Sequence, residues 1–202
     1  MFMKRQKFFF LFSLSFLMSC SRTNRLSIDD YKWMPYTGKE TLVFKSNTEV
    51  EDTIFLLKKD TLLGYADPLS INGLEYEVLS IFVKYTDPFS ADIKKPYNEN
   101  RFFEINKGKD NKAELNIIFF SAHSTFYRLS NIKLDSLDKV KPSVLQTKSA
   151  QYNDVYVING EDYMGNYTER SNFITKLYWS KSNGLIRYDK KDAVYWELAK
   201  KW

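Results

Sequence analysis

The chain has 202 residues with 30 lysines and arginines against 25 aspartates and glutamates, and its pI is about 9.0. Three basic residues and no acidic ones lie in residues 1–19, which have the pattern of an export signal, so the remaining 183 residues carry a net charge of only +2. This near balance argues against nucleic-acid binding through a basic surface, and the remainder has the size of one ordinary domain.

The N-terminal segment predicts export from the cytoplasm. Lys4, Arg5 and Lys7 precede an apolar run of 11 residues, Phe8–Met18. This run is shorter than the roughly 20 residues that span a bilayer. It has the length of the apolar region of a secretory signal.

Cys20 is the only cysteine, and it directly follows Leu17-Met18-Ser19. This sequence resembles the lipobox of bacterial lipoproteins, in which the signal is cut before the cysteine and the thiol receives a lipid. The resemblance implies a signal peptide over residues 1–19 and a lipid on Cys20 that attaches the protein to a membrane. The alternative is an ordinary signal peptide with an incidental cysteine. With Cys20 acylated, no thiol is left for a disulfide or a thiolate metal site.

Residues 20–38 are predicted to form a lipidated tether, and residues 39–202 a single β-rich domain. Beyond the tether, apolar residues recur with period two, as in strands that have one covered face. Strands are predicted over 41–46, 53–58, 74–85, 115–120, 126–132 and 152–158.

Helix is predicted over only one segment, residues 134–140, for which extended chain is the alternative. Asp135 is the expected N-terminal cap, and Pro142 limits the helix on its C-terminal side.

The C-terminal section predicts a three-strand meander. Asn183-Gly184 is a turn signal between strands 173–180 and 185–188, because both residues tolerate positive φ. A polar turn then leads into a strand over 194–198. We predict one antiparallel all-β domain of roughly eight to ten strands, either a β-sandwich or a partly open β-barrel.

Part of this section is similar to small bacterial lipoproteins of the Bacteroidetes type. The similar stretches are Tyr152–Ile158, Leu177–Lys181, Gly184–Tyr188 and Tyr195–Leu198. The resemblance implies a β-rich lipoprotein, and it implies no activity and no catalytic residues.

The residues after Cys20 imply a destination within the envelope. The residue directly after Cys20 is Ser21 and not an aspartate. In this respect the chain is similar to lipoproteins of the outer membrane. The next acidic residue is Asp29, whereas lipoproteins of these bacteria that reach the cell surface often have acidic residues just after the cysteine. The expectation is therefore an outer-membrane lipoprotein that faces the periplasm.

The sequence predicts no catalytic, cofactor or metal site. His123 is the only histidine, and nothing in the sequence identifies the nucleophile or orienting partner that a general base requires, so we interpret it as a loop residue. Glu75 and Glu77 would share one strand face, as an acid–base pair could, but a solvated face explains them more simply. Zinc normally requires three or four ligands, which one histidine without a free thiol does not supply.

Aromatic residues are dense near the C terminus. Tyr178, Trp179, Tyr195 and Trp196 form the candidate contact patch, whose rings would stack on a sugar, an acyl chain or a partner protein. Cross-strand aromatic pairing that only stabilises the sheet is the alternative.

These features predict a non-enzymatic binding module of the cell envelope, lipid-anchored near the outer membrane. Its expected partner is an envelope protein, a glycan or a lipid. A scaffolding or assembly subunit of an envelope complex is the first alternative, and a carboxylate-dependent hydrolase is the third hypothesis.

Overall fold

The structure is a computed structural model, and it describes most of the chain after residue 22. The described ranges are 23–65, 74–85, 100–108, 110–119, 127–162, 165 and 168–202.

The described residues form twelve strands and two short helices. The strands are β1 (Thr23–Asn24), β2 (Thr41–Ser46), β3 (Glu51–Tyr65), β4 (Glu75–Tyr85), β5 (Asn100–Lys107), β6 (Ala113–Phe119), β7 (Tyr127–Lys133), β8 (Ser143–Gln146), β9 (Gln151–Asn159), β10 (Ile174–Ser180), β11 (Gly184–Lys190) and β12 (Tyr195–Lys201). The helices are α1 (Ile28–Tyr31) and α2 (Leu134–Leu137).

Eleven strands form one antiparallel sheet in the order β7-β6-β5-β4-β3-β2-β12-β11-β10-β9-β8. The sheet consists of two meanders, β2 to β7 and β8 to β12, which are joined where β2 pairs with β12. It curls into a half-barrel. The all-β prediction is therefore confirmed, and of the two predicted architectures the partly open barrel is the one observed.

The core contains side chains from the segment that precedes the sheet. Trp33, Met34 and Tyr36 are buried together with residues of both meanders. The ring of Tyr36 meets Trp179 edge to face at 5.9 Å, and Trp179 stacks on Phe103 at 4.0 Å. Aromatic contacts of this kind contribute about 0.5–1.5 kcal/mol each beyond the burial of their area.

One close approach fixes the position of Tyr36. The backbone N–H of Leu185 donates a hydrogen bond of 2.8 Å to the Tyr36 hydroxyl oxygen. A Cβ atom on Gly184 would lie 2.1 Å from that oxygen, and the φ of Gly184 is +88°. Glycine is therefore required here for both space and backbone conformation. The predicted turn is present, but Asn183 does not have positive φ.

From residue 23 onward, the predicted tether (residues 20–38) also makes contacts with the sheet. β1 pairs in parallel with β4 through Thr23 and Asn24. The buried carboxylate of Glu77 on β4 accepts hydrogen bonds from the Leu26 backbone N–H at 2.8 Å and from the Tyr31 hydroxyl at 2.6 Å. These contacts hold α1 against the sheet.

Two strands of the antiparallel sheet were not predicted because their patterns are irregular, and the two-residue β1 was not predicted either. In β5, the adjacent Phe102 and Phe103 are both buried, opposite a register shift between Ile81 and Phe82 of β4, so strict alternation is lost. β8 is a short edge strand whose residues are mostly exposed. β3 also continues to Tyr65, past its own register shift between Leu56 and Lys58.

The helix predicted over 134–140 is shorter than expected. It ends at Leu137, and its N-cap is Lys133, which makes no side-chain capping bond. Asp135 lies inside the helix and pairs with Lys112 at 3.1 Å, so the prediction that it caps the helix is wrong.

Candidate functional site

The predicted aromatic patch is divided between the two faces of the sheet. Trp179 and Trp196 are buried in the core. Tyr178 and Tyr195 are half-buried on the opposite face. Because consecutive residues of a strand point to opposite faces, each adjacent pair must separate in this way. The structure thus brings the two tyrosines together and leaves the tryptophans inside.

Arg187 on β11 joins the two tyrosines. Its guanidinium carbon lies 4.0 Å from the ring centre of Tyr195 and 5.2 Å from that of Tyr178. The strand register places Arg187 opposite both Glu197 and Tyr178. A row of polar and aromatic side chains therefore crosses β12, β11 and β10 on the face opposite the core.

Carboxylates hold the Arg187 guanidinium in place. Its Nε donates to Asp189 at 2.6 Å, and a terminal nitrogen donates to Glu197 at 3.2 Å. Burial acts to lower the pKa of Arg187, but the hydrogen bond to Asp189 and its charge outweigh this effect and raise the pKa. The guanidinium is a permanently charged, rigid support for the ring of Tyr195.

Tyr178 is bound more tightly into this network than Tyr195. Its hydroxyl donates to Asp189 at 2.9 Å. Burial, followed by this hydrogen bond, raises the pKa of Tyr178 to about 12. Tyr195 makes no side-chain hydrogen bond to another described residue. Its hydroxyl is the one of the two that remains available to a ligand.

A cleft of about 220 Å³ lies beside Tyr195. Its walls come from β2, from β12 and from the turn between β8 and β9. The lining residues are Lys45, Ser46, Lys148, Ser149, Tyr195, Glu197, Leu198 and Ala199. Arg187 does not line the cleft.

The β8–β9 turn is fixed to β12 at the cleft. The Lys148 backbone N–H donates to Glu197 at 3.2 Å, and the Ser149 hydroxyl donates to the Leu198 carbonyl at 2.7 Å. These bonds hold Lys148 and Ser149 of the turn against β12. The wall of the cleft is thus built from residues about 50 positions apart in the sequence.

Glu49 bridges two lysines that line the cleft. Its carboxylate forms ion pairs with Lys45 and with Lys148, the second at 3.0 Å. Glu49 lies in the β2–β3 turn with a φ of +67°. Hydrogen bonds from Lys45 and Lys148 lower the pKa of Glu49 to about 2. The ammonium groups of Lys45 and Lys148 are therefore both paired with the Glu49 carboxylate.

The other residues singled out in the sequence have structural positions or lie outside the described residues. Glu77 binds the N-terminal segment as described above, and Glu75 accepts a hydrogen bond from the Thr23 hydroxyl at 3.2 Å. Cys20 and His123 lie outside the described residues. Among the side chains that the structure describes, no group of three or more His, Cys, Asp or Glu residues is arranged to hold a metal ion.

Comparisons with protein families, curated proteins and solved structures found no match to this chain. In the part of the chain that the structure describes, no helix combines the length and the apolar character needed to cross a bilayer.

Sequence reasoning did not identify the cleft. The sequence does indicate the β12 side of the cleft, because alternation along β12 places Tyr195 and Glu197 on one face. Another part comes from Lys148 and Ser149 in the β8–β9 turn, and Lys148 pairs with Glu49 of the β2–β3 turn, which is distant in sequence. Only the curl of the sheet brings these turns together.

Proposed function

We propose that this protein is a non-enzymatic binding module of the cell envelope, anchored by a lipid on Cys20. Its ligand is a small hydroxylated molecule, such as one sugar unit of a glycan, bound in the cleft beside Tyr195. The supporting observation is that Tyr195, whose ring lies against Arg187, lines this cleft together with Lys45, Lys148 and Glu197.

The size of the cleft favours a single sugar unit over an acyl chain. Pockets for drug-sized ligands measure about 300–1,000 Å³, and this cleft of about 220 Å³ suits a single ring. An acyl chain would take the charged side chains of Lys45, Lys148 and Glu197 out of water, and this desolvation is costly even for paired charges. Inside the half-barrel, Trp33, Met34 and Tyr36 fill the core.

Attachment at the membrane is supported by the sequence Leu17-Met18-Ser19-Cys20. The residues around Cys20 favour the outer membrane and its periplasmic side. Several acyl chains together anchor a protein stably, whereas one myristoyl chain binds only marginally.

A hydrolase has less support at this site. Acid–base cleavage of a glycosidic bond requires one carboxyl group that stays protonated near neutral pH. Glu49 has a pKa of about 2 and is ionised. Glu197 is paired with Arg187.

An assembly role through a sheet edge also has less support. Val140 and Val144 are exposed at or near the edge strand β8. This strand is short, follows Lys141-Pro142 and contains a register shift. Those features prevent a further strand from pairing at an edge.

The binding test uses the full chain in mild detergent and isothermal titration with glucose, galactose, mannose, N-acetylglucosamine and glucuronate, singly and as short oligomers. We expect at least one of them to bind. Tyr195→Ala should then weaken binding about tenfold, which corresponds to roughly 1.4 kcal/mol.

Tyr178→Ala is the matched control. Tyr178 also contacts Arg187, but it does not line the cleft, so this change should leave the affinity nearly unaltered. Equal losses in both variants, or no binding of any of these sugars, would contradict the proposal.

A further inference from the structure

Exposed leucines lie near the end of the β3–β4 hairpin. Leu62 is 46% exposed and Leu63 is 50% exposed. As neighbours in one strand, they point to opposite faces of the hairpin. At this point the hairpin therefore has an exposed apolar side chain on each of its two faces.

α1 adds a third apolar residue at the same end of the molecule. Leu63 pairs with Glu77, whose carboxylate binds Leu26 and Tyr31 on either side of the helix start. Ile28, the first residue of α1, is 81% exposed. We call Ile28, Leu62 and Leu63 the apolar end.

The lipid attachment site is close to the apolar end along the chain. β1 pairs Thr23 with Glu75 and Asn24 with Tyr76, at the same end of β4. Thr23 is three residues after Cys20, and three residues span at most about 10 Å. A lipid on Cys20 would therefore enter the bilayer beside these leucines.

We infer that the apolar end contacts the bilayer next to the lipid anchor and sets the orientation of the protein on the membrane. This inference rests on the proposed lipid attachment at Cys20. Glu49 and the cleft lie near the other end of β3, which has 15 residues and is up to about 50 Å long at 3.3 Å per residue. The ligand cleft thus faces away from the membrane.

The test measures which end of the protein enters the bilayer. Acylation of Cys20 leaves no other thiol, so a new cysteine can be labelled alone. Leu63→Cys, Ile28→Cys and Val50→Cys would each carry an NBD fluorophore in the lipidated full chain, reconstituted into phosphatidylethanolamine–phosphatidylglycerol vesicles. Val50 is the matched control because it is an apolar residue, 43% exposed, in the β2–β3 turn.

Doxyl-labelled lipids should quench the labels at Leu63 and Ile28 about twofold or more, since interfacial apolar groups lie about 5–10 Å into the headgroup and acyl boundary. The label at Val50 should remain unquenched. Equal quenching at all three positions, or none at Leu63 and Ile28 in membrane-bound protein, would overturn the orientation alone. Labelling of the parent protein would show a free thiol at Cys20, and it would overturn the lipid anchor and this inference with it.

Discussion

At the scale of single residues, contacts around Tyr36 determine how the N-terminal segment fits into the half-barrel. Its hydroxyl accepts the Leu185 N–H, and its ring meets Trp179 and Phe102. Burial raises the pKa of Tyr36 above its ordinary value, so the phenol remains neutral at physiological pH. The aromatic character of this segment is visible in the sequence, but its burial depends on strands more than 60 residues away.

Gly184→Ala should destabilise the protein strongly. The added methyl group would lie 2.1 Å from the Tyr36 oxygen in a backbone with positive φ. We expect a loss of about 2–4 kcal/mol in the free energy of unfolding, from strain and overpacking together. Urea unfolding followed by circular dichroism measures this loss.

Gly165→Ala separates the contribution of backbone strain from that of overpacking. Gly165 also has positive φ, at +75°, but no atom of the described residues lies within 4 Å of its added Cβ. Gly165→Ala should therefore lower the free energy of unfolding by less than Gly184→Ala does. Equal losses would contradict the proposed contact with Tyr36.

At the scale of secondary structure, alternation predicted most of the strands but not their irregularities. The strands over 41–46 and 152–158 agree with β2 and β9 within one residue at each end. β5 was missed because a register shift lets two adjacent phenylalanines be buried. β8 was missed because an exposed edge strand has no apolar face to reveal it.

α1 had a signal in the sequence that was not used. Ser27 and Asp30 form a capping box, in which each side chain accepts a hydrogen bond from the other's backbone N–H. Asp135 had the residue type of a cap, but it instead pairs with Lys112 on the β5–β6 connection.

Glu49 links the two turns beside the cleft, and the pKa of its carboxyl group should report on this link. The folded pKa of about 2 lies below the ordinary value of 4.5. The link therefore stabilises the fold above pH 4.5, and this contribution is lost as the pH falls towards 2. Carboxyl-carbon NMR at low salt measures the pKa directly.

Lys148→Gln should raise the pKa of Glu49 towards 4.5, because one of its two ammonium partners is removed. Lys32→Gln is the control, since Lys32 pairs instead with Asp29. A Glu49 that titrates near 4.5 in the parent protein would show that the bridge between the turns does not form in solution.

At the scale of the whole molecule, the sequence predicted the fold class but not the site. Period-two alternation indicated an antiparallel β domain, and the curled sheet confirms it. The joining of the two meanders through β2 and β12 was not predictable, because these strands lie at opposite ends of the domain's sequence. The cleft depends on this joining, since its walls come from β2, β12 and the β8–β9 turn.

The same connectivity determines where the sites of the proposed function lie on the molecule. The apolar end and β1, which follows the proposed lipid site in the sequence, are at one end of β3, and the cleft is near the other. If Cys20 carries the proposed lipid, this arrangement would hold one end of the molecule at the membrane and would direct the cleft towards the periplasm.

Mapping of sugar binding by amide NMR tests the central claim most directly. The full chain, labelled with ¹⁵N, would be titrated with whichever sugar gives the strongest heat of binding. The account predicts chemical-shift changes at Lys45, Lys148, Tyr195 and Glu197, and none in the core around Trp33. Changes centred on the core, or an unchanged spectrum with every sugar, would contradict it.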